Sequence, residues 1–392
     1  MKFFESNVNL SVSLSLTALK VFGFWVPDGL SWEKRFLYNC YAFISFMFLL
    51  GTYLIIQVVD MFMIWGNLPL MTGTAFLLFT NLAQATKIAS VVVRRRTVGG
   101  IIADADQMLR GEEGRGREIV QSCNRETSLQ QLLYFCLTTV TVAGWASSAE
   151  KNQLPLRAWY PYDTSKSPAY ELTYVHQVVA LFIAAYLNVG KDTLVTTLIA
   201  QCRCRLRLLG LELRTLCDDL VPNEQGMLSS EQEKTVWSRL RNIVRQHQAA
   251  LEASSLLQDC FSAPIFAQFL VSMVIICVTA FQLAAQTGNL VRLFSMGTYL
   301  LNMTFQVFLY CYQGNQLSEE SIEIAGAAYA CPWYSCSTRL RRGLLVLMER
   351  TRRAARLTAG GFTTLSLTSF MAIVKTSYSL FTVLQQAEES KD

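Results

Sequence analysis

Few side chains in this 392-residue chain could do bond-making chemistry, and none stands in a pattern that would. The only histidines are His176 and His247. Cys202 and Cys204 are separated by one residue, not by the two to four that paired zinc-binding cysteines use. No glycine-rich phosphate loop, helical His/Glu metal pair or nucleophile elbow is present. Lys191, Asp192 and Lys375 are the ionisable groups embedded in apolar sequence. An enzyme working inside a membrane would place an ionisable pair at mid-depth. Lys191 and Asp192 lie near a boundary and Lys375 is single, so the chain is expected to be no enzyme and to need no metal or cofactor.

The elements that hold these residues are long apolar segments. Seven runs without a charged residue cover 36–59, 61–86, 127–149, 172–190, 260–291, 293–318 and 357–374, the last resuming beyond Lys375. Each reaches the ~18–20 apolar residues that cross about 30 Å of hydrocarbon as a helix. One such run could be a buried core helix; seven describe a polytopic membrane protein.

Basic residues orient it. Of the 34 lysines and arginines, 27 fall in the N-terminal segment and in the gaps after the second, fourth and sixth runs. Excess Lys and Arg stays in the cytoplasm. The expected architecture is therefore an all-α membrane protein with seven transmembrane helices in inverted topology, N-terminus cytoplasmic and C-terminus extracellular. This is opposite to a G-protein-coupled receptor. A net charge of +5 with 52% hydrophobic and 16% charged residues fits that topology signal better than nucleic-acid binding. The stretch 6–26 reads as a cytoplasmic or interfacial lead-in helix. A signal peptide is the competing reading, but Lys20 interrupts the stretch and no clean cleavage site follows. Eleven cysteines are present, yet the outer loop 150–171 has none, so no extracellular disulfide framework is expected.

The expected organisation runs from a lead-in segment at 1–35 to helices one to four at 36–200, with the outer loop inside that span. A cytoplasmic helical segment follows at 201–259, then helices five and six at 260–318. Cytoplasmic anchor helices occupy 319–356, and helix seven with an extracellular tail occupies 357–392. The 32-residue run 260–291 would extend about 48 Å as a helix, beyond the bilayer. It and the fourth run are expected to continue into a cytoplasmic bundle with the amphipathic stretches 239–257 and 321–348. Loose inner loops are the alternative, with 221–226 and 111–116 the best mobile segments. Gly360-Gly361 reads as a break before the final crossing.

Three segments carry a resemblance. The outer loop reads Leu154-Pro155-Leu156-Arg157-Ala158-Trp159-Tyr160-Pro161-Tyr162-Asp163 and then Ser167-Pro168-Ala169-Tyr170-Glu171-Leu172-Thr173-Tyr174. The end of the sixth run reads Tyr310-Cys311-Tyr312-Gln313-Gly314-Asn315-Gln316-Leu317, followed by Ala328-Tyr329 and Trp333-Tyr334. The chain closes on Ile373-Val374-Lys375-Thr376-Ser377-Tyr378-Ser379-Leu380-Phe381-Thr382-Val383-Leu384. Together they resemble the insect odorant receptor family, over nearly the whole chain, and the odorant-tuning subunit rather than the co-receptor. The resemblance implies a ligand-gated nonselective cation channel of the plasma membrane of sensory-neuron dendrites. It implies a tetramer formed with the odorant receptor co-receptor, a central pore lined by the last span, and a small volatile odorant held in each tuning subunit's outer half. A gustatory-type homotetrameric channel is the alternative, although its usual Thr-Tyr…Gln-Phe ending is absent. A metabotropic receptor would need an outside N-terminus and an outer disulfide; a transporter would need repeat symmetry or several midplane charges.

A volatile odorant binds chiefly by burial and dispersion, with a few polar groups for orientation. Aromatic and Met side chains in outer span halves suit that task. The candidates are Met71, Thr74 and Phe76; Val142, Trp145, Ala146 and Ser148; His176, Val179 and Ile183; and Tyr299, Leu300 and Met303, with Trp145, Tyr299 and Met303 the strongest. The competing reading for each is packing against a helix or lipid. For the pore, Ser377, Phe381, Leu384 and Gln385 adjoin on one helix. Phe381 and Leu384 are the proposed dewetting gate and Gln385 a hydrophilic rim; packing against the fifth or sixth span is the alternative. Lys375 is expected to face water or a partner, since a lysine at the bilayer centre costs about 2.5–3.5 kcal/mol. The sequons at Asn302 and Asn9 are expected to stay unmodified, one inside a span and one cytoplasmic.

Overall fold

Helix-favouring apolar runs with few internal breakers give long helices, and the computed structural model is helical almost throughout. It describes the chain except residues 1–9, 28, 30, 67, 112, 148–153, 155–158, 165, 225, 286–289 and 390–392. The order is α1 (Leu10–Val21), α2 (Trp32–Phe46), a π turn (Met47–Gly51), α3 (Thr52–Met63), α4 (Leu68–Val93) and α5 (Arg95–Arg110). It continues with α6 (Gly114–Ser147), α7 (Ala169–Arg214), α8 (Ser230–Ala285), α9 (Leu290–Ala330) and α10 (Thr338–Thr351). A two-stranded antiparallel hairpin, β1 (Thr358–Ala359) and β2 (Thr363–Thr364), precedes α11 (Leu367–Glu389).

By length and composition alone, Ala169–Arg214, Ser230–Ala284 and Leu367–Gln386 can cross a membrane. α6 and α9 are longer than α11 but carry polar stripes, which lower their apolarity while facing the bundle. α7 is the central helix. It is buried on every side from Leu187 to Leu206, as expected for a helix surrounded by others. At 46 residues it is about 69 Å long, against about 30 Å of hydrocarbon. α8 and α9, with 56 and 41 residues, overshoot similarly. The overshoots gather at one end of the bundle, here termed inner, as the sequence suggests.

Charge pairs zip that inner end. Arg203, fully buried, places two guanidinium nitrogens on Glu126 at 3.0 and 2.8 Å, and the Tyr312 hydroxyl donates to the same carboxylate at 3.0 Å. Burial opposes ionisation of Glu126, but Arg203 and Tyr312 outweigh it and hold the carboxyl below its ordinary range. Arg205 pairs with Asp104 at 2.6 Å, Arg207 with Glu320, and Arg214 with Glu323 at 2.6 Å. The four arginines tie α7 to α5, α6 and α9.

Several boundaries differ from the sequence reading. The first crossing is α2, the π turn and α3 in series, and the turn before α4 follows Met63, not Asp60. Asp60 sits inside α3, buried, and accepts a hydrogen bond from Thr74 Oγ1 at 2.8 Å; a satisfied carboxylate need not end a span. Lys87, counted with the loops, lies within α4 and is buried. The stretch 321–348 is not one helix: Pro332 and the 3-10 turn Trp333–Ser335 separate α9 from α10. The last crossing starts at Leu367, not 357. Residues 357–366 form the hairpin, with Gly360 and Gly361 at φ +61° and +77°, a region open to glycine. The lead-in helix α1 docks inside the bundle, Ser15 Oγ lying 2.9 Å from Thr193 Oγ1.

Candidate ligand-binding site

Polar residues recur at helical spacing along four facing helices, and a cavity of about 80 Å³ opens where they meet. α4 supplies Thr80, Asn81 and Gln84; α6 supplies Thr138, Thr141, Val142 and Trp145. α7 supplies Leu181, Ala184, Ala185, Asn188 and Val189, and α9 supplies Tyr299, Asn302 and Met303. Trp145, Val142, Leu181 and Met303 make one wall apolar. Thr80 and the Tyr299 hydroxyl lie 2.9 Å apart, and Thr138 donates to Asn302 at 3.4 Å.

Beneath the cavity lies a buried ionic cluster. Asp192 takes the Lys87 ammonium at 2.6 Å, the Tyr310 hydroxyl at 2.8 Å and the Tyr134 hydroxyl at 3.1 Å, together with the Gln306 amide. Gln268 of α8 donates to Gln306 at 2.9 Å, so four helices meet at one carboxylate and a fifth is linked to it through Gln306. Lys87 also reaches Asn188 Oδ1 at 3.5 Å, and the Lys191 ammonium approaches the Gln84 main-chain oxygen at 3.4 Å. Asn188 and Gln84 thus belong to both the cavity floor and this cluster.

Of the expected ligand contacts, Val142, Trp145, Tyr299 and Met303 come together around the cavity. Leu300 packs beside Met303 against Ile275 and Ile276, and Ile183 packs on the main core. The others lie elsewhere. Met71 Sδ accepts the Gly66 N–H at 3.4 Å, and Thr74 is bound to Asp60. Ala146 gives its carbonyl to the Tyr174 hydroxyl at 2.9 Å. His176 stands between Phe48 and Tyr53, ring centroids 4.6 and 5.7 Å away. Val179 is exposed on the bundle surface. Ser148 and the Phe76 side chain lie outside the described residues.

On α11 the expected stripe divides. Ser377 is buried against its own bundle, its hydroxyl bonded to the Ile373 carbonyl at 2.9 Å. Phe381 and Leu384, at i+4 and i+7 on the same side, are half-buried, and only Gln385 is exposed. Ser377 therefore does not share the open face, which runs through Met371, Lys375, Tyr378 and Val383. Lys375 is exposed on that open face.

Sequence reasoning missed Gln84, Asn188, Asn302 and Lys87. Their signal is the spacing Asn81–Gln84–Lys87 on α4 and Asn188–Asp192 on α7, an amide one helical turn from an ionisable group.

The 7tm Odorant receptor family model matches residues 67–378. Odorant receptor Or1 of Anopheles gambiae is 24% identical over 397 residues, covering 96% of this chain and 95% of the relative. Odorant receptor 46a, isoform A, of Drosophila melanogaster is 25% identical, covering 79% and 81%. The solved structure of the insect olfactory receptor OR5 from Machilis hrabei in complex with eugenol superposes with a TM-score of 0.82 at 18% identity, covering 96% of this chain and 97% of that one.

Proposed function

Because this chain belongs to the 7tm odorant receptor family, and is a multi-pass membrane receptor and no enzyme, we propose that it is the odorant-binding subunit of a heteromeric, ligand-gated, nonselective cation channel. In this reading it resides in the plasma membrane of a sensory dendrite, N-terminus inside, with a co-receptor subunit completing a tetramer. The observation that carries the proposal is the cavity closed by Trp145, Val142, Tyr299 and Met303 above the Asp192 cluster. The similar OR5 receptor of Machilis hrabei was solved with eugenol, which supports a small organic occupant here.

The cavity is smaller than the ~150 Å³ space that accepts benzene in an engineered core. An odorant of ten or so heavy atoms must displace side chains, and Met303, flexible and wedged against Ile275 and Ile276, is suited to yield. Displacement at this level reaches α9, against which α11 packs through Phe308 and Phe370 at 5.6 Å. A pore between subunits would be bordered by the open face of α11, with Phe381 and Leu384 at its flank and Gln385 near its end. Apolar side chains there close a pore by dewetting, and Gln385 keeps its mouth wet.

The test is odorant-evoked cation current in cells expressing this chain with a co-receptor. Trp145→Ala and Tyr299→Ala are expected to raise the half-maximal odorant concentration about tenfold or more while both subunits stay at the surface. Unchanged concentration–response curves in both variants would refute the pocket; current from this chain alone would refute the heteromer.

A further inference from the structure

The floor and wall of the cavity differ in what they ask of a ligand. The wall is satisfied by contact with any apolar body. On the floor most polar groups are already engaged: Asn302 Oδ1 by Thr138, Thr141 by the Leu137 carbonyl at 2.8 Å, and Asn81 Nδ2 by Gln57 Oε1 at 2.9 Å. Two groups are not. Gln84 is 4% exposed and its Oε1 has no hydrogen-bond partner. Asn188 accepts from Lys87 through Oδ1, which leaves its amide N–H groups to donate. Lys191 beneath holds the Gln84 main chain by its carbonyl.

We propose that the ligand is an alcohol or phenol, an apolar body bearing one hydroxyl, and that its hydroxyl seats between Gln84 and Asn188. A hydroxyl is the small group that donates and accepts at a single atom. It gives its proton to Gln84 Oε1 and takes an Asn188 N–H. An ether or carbonyl accepts only and leaves Gln84 unpaired, and a buried acceptor without a donor is costly. A site built around a hydroxyl rejects its absence far more strongly than an apolar pocket rejects a methylene. Lys87 and Lys191 stand below against the single carboxylate of Asp192, so an ammonium ligand meets excess positive charge. Carboxylates meet amides at the cavity surface, while the lysines are 6% and 1% exposed behind them.

This inference rests on the cavity being the odorant pocket, and the experiment separates the two. Current is recorded from the heteromer with matched pairs: straight-chain alcohols of four to eight carbons and their methyl ethers, 4-methylphenol and 4-methylanisole, with the corresponding acids and amines. The hydroxyl member of a pair is expected to be about tenfold more potent or better. Gln84→Met, close in size but unable to accept comparably, is expected to erase that preference, so that alcohol and ether of a pair become equipotent. Ethers or acids matching the alcohols in the unaltered receptor, or a preference that survives in Gln84→Met, would overturn the hydroxyl assignment and leave the pocket standing. Silence toward every compound, with both subunits at the surface, would overturn the pocket reading and this inference with it.

Discussion

The Asp192 cluster and the Arg203–Glu126 pair sit eleven residues apart on α7, about 16 Å along its axis, yet they handle buried charge in opposite ways. Around Asp192 one carboxylate serves donors from several helices; Lys87 is bonded to it, while Lys191 beside it is bonded to the Gln84 main-chain oxygen. At Glu126 one guanidinium meets one carboxylate, the Tyr312 hydroxyl is a further donor, and the carboxylate is 29% exposed. A shared hub makes many helices interdependent; the charge pair with its one added hydroxyl couples fewer, α6 and α7 with α9. The hub lies under the cavity, so a change in the floor can be felt by every helix that meets there. The pair lies in the inner bundle, where the task is to hold.

Asp192→Asn tests the hub most severely. It leaves Lys87 and Lys191 buried without a counter-charge, a loss on the order of 3–5 kcal/mol. Surface biotinylation should find little receptor; normal surface levels would erase the distinction drawn above. Arg203→Met should cost less, about 1–3 kcal/mol, because Glu126 can turn its exposed edge to water. Adding Glu126→Gln should recover part of that loss in the thermal unfolding of detergent-solubilised receptor, and no recovery would show the pair to be wired into a wider network.

An uncharged control sits between the two regions. A Cβ on Gly314 would fall 2.7 Å from the Leu365 carbonyl oxygen, so Gly314→Ala should destabilise by about 1–3 kcal/mol through overpacking alone. Its unfolding temperature should not respond to salt, unlike that of a charge variant. The smallest effect belongs to Asp219, whose two Arg239 hydrogen bonds, each 2.6 Å, hold its carboxyl at about 2. The folded value lies below the unfolded one of about 3.9. The contribution is thus present above pH ~4 and lost as the pH falls toward 2. Arg239→Leu should flatten that part of the stability profile, and an unaltered profile would exclude the contact.

Much of the architecture was legible because apolar runs longer than a bilayer have few other uses. The overshooting α7, α8 and α9 follow from run length. The lining by Trp145, Tyr299 and Met303 follows from residue type and depth. Charge as a boundary marker was less faithful. Asp60 and Lys87 were read as interruptions, yet each is buried and paired, by Thr74 and by Asp192. Uncharged amides were harder still. Gln84 and Asn188 look like tolerated polar residues until the register of α4 against α7 brings them together. For α11, the spacing puts Ser377, Phe381 and Leu384 on one side of the helix, but spacing cannot say which side faces the bundle.

The hairpin before α11 has a mechanical consequence. Gly360 donates to the Ser262 carbonyl at 3.0 Å, and Gln258 grips Thr358 through its main-chain N–H at 2.7 Å and its hydroxyl at 2.5 Å. The root of the last helix is therefore riveted to α8, whereas the 18-residue apolar window beyond it is only 11% buried. A rod fixed at its root deflects most at its tip, so a nudge of fractions of an ångström near Phe370 grows along the lever toward Gln385.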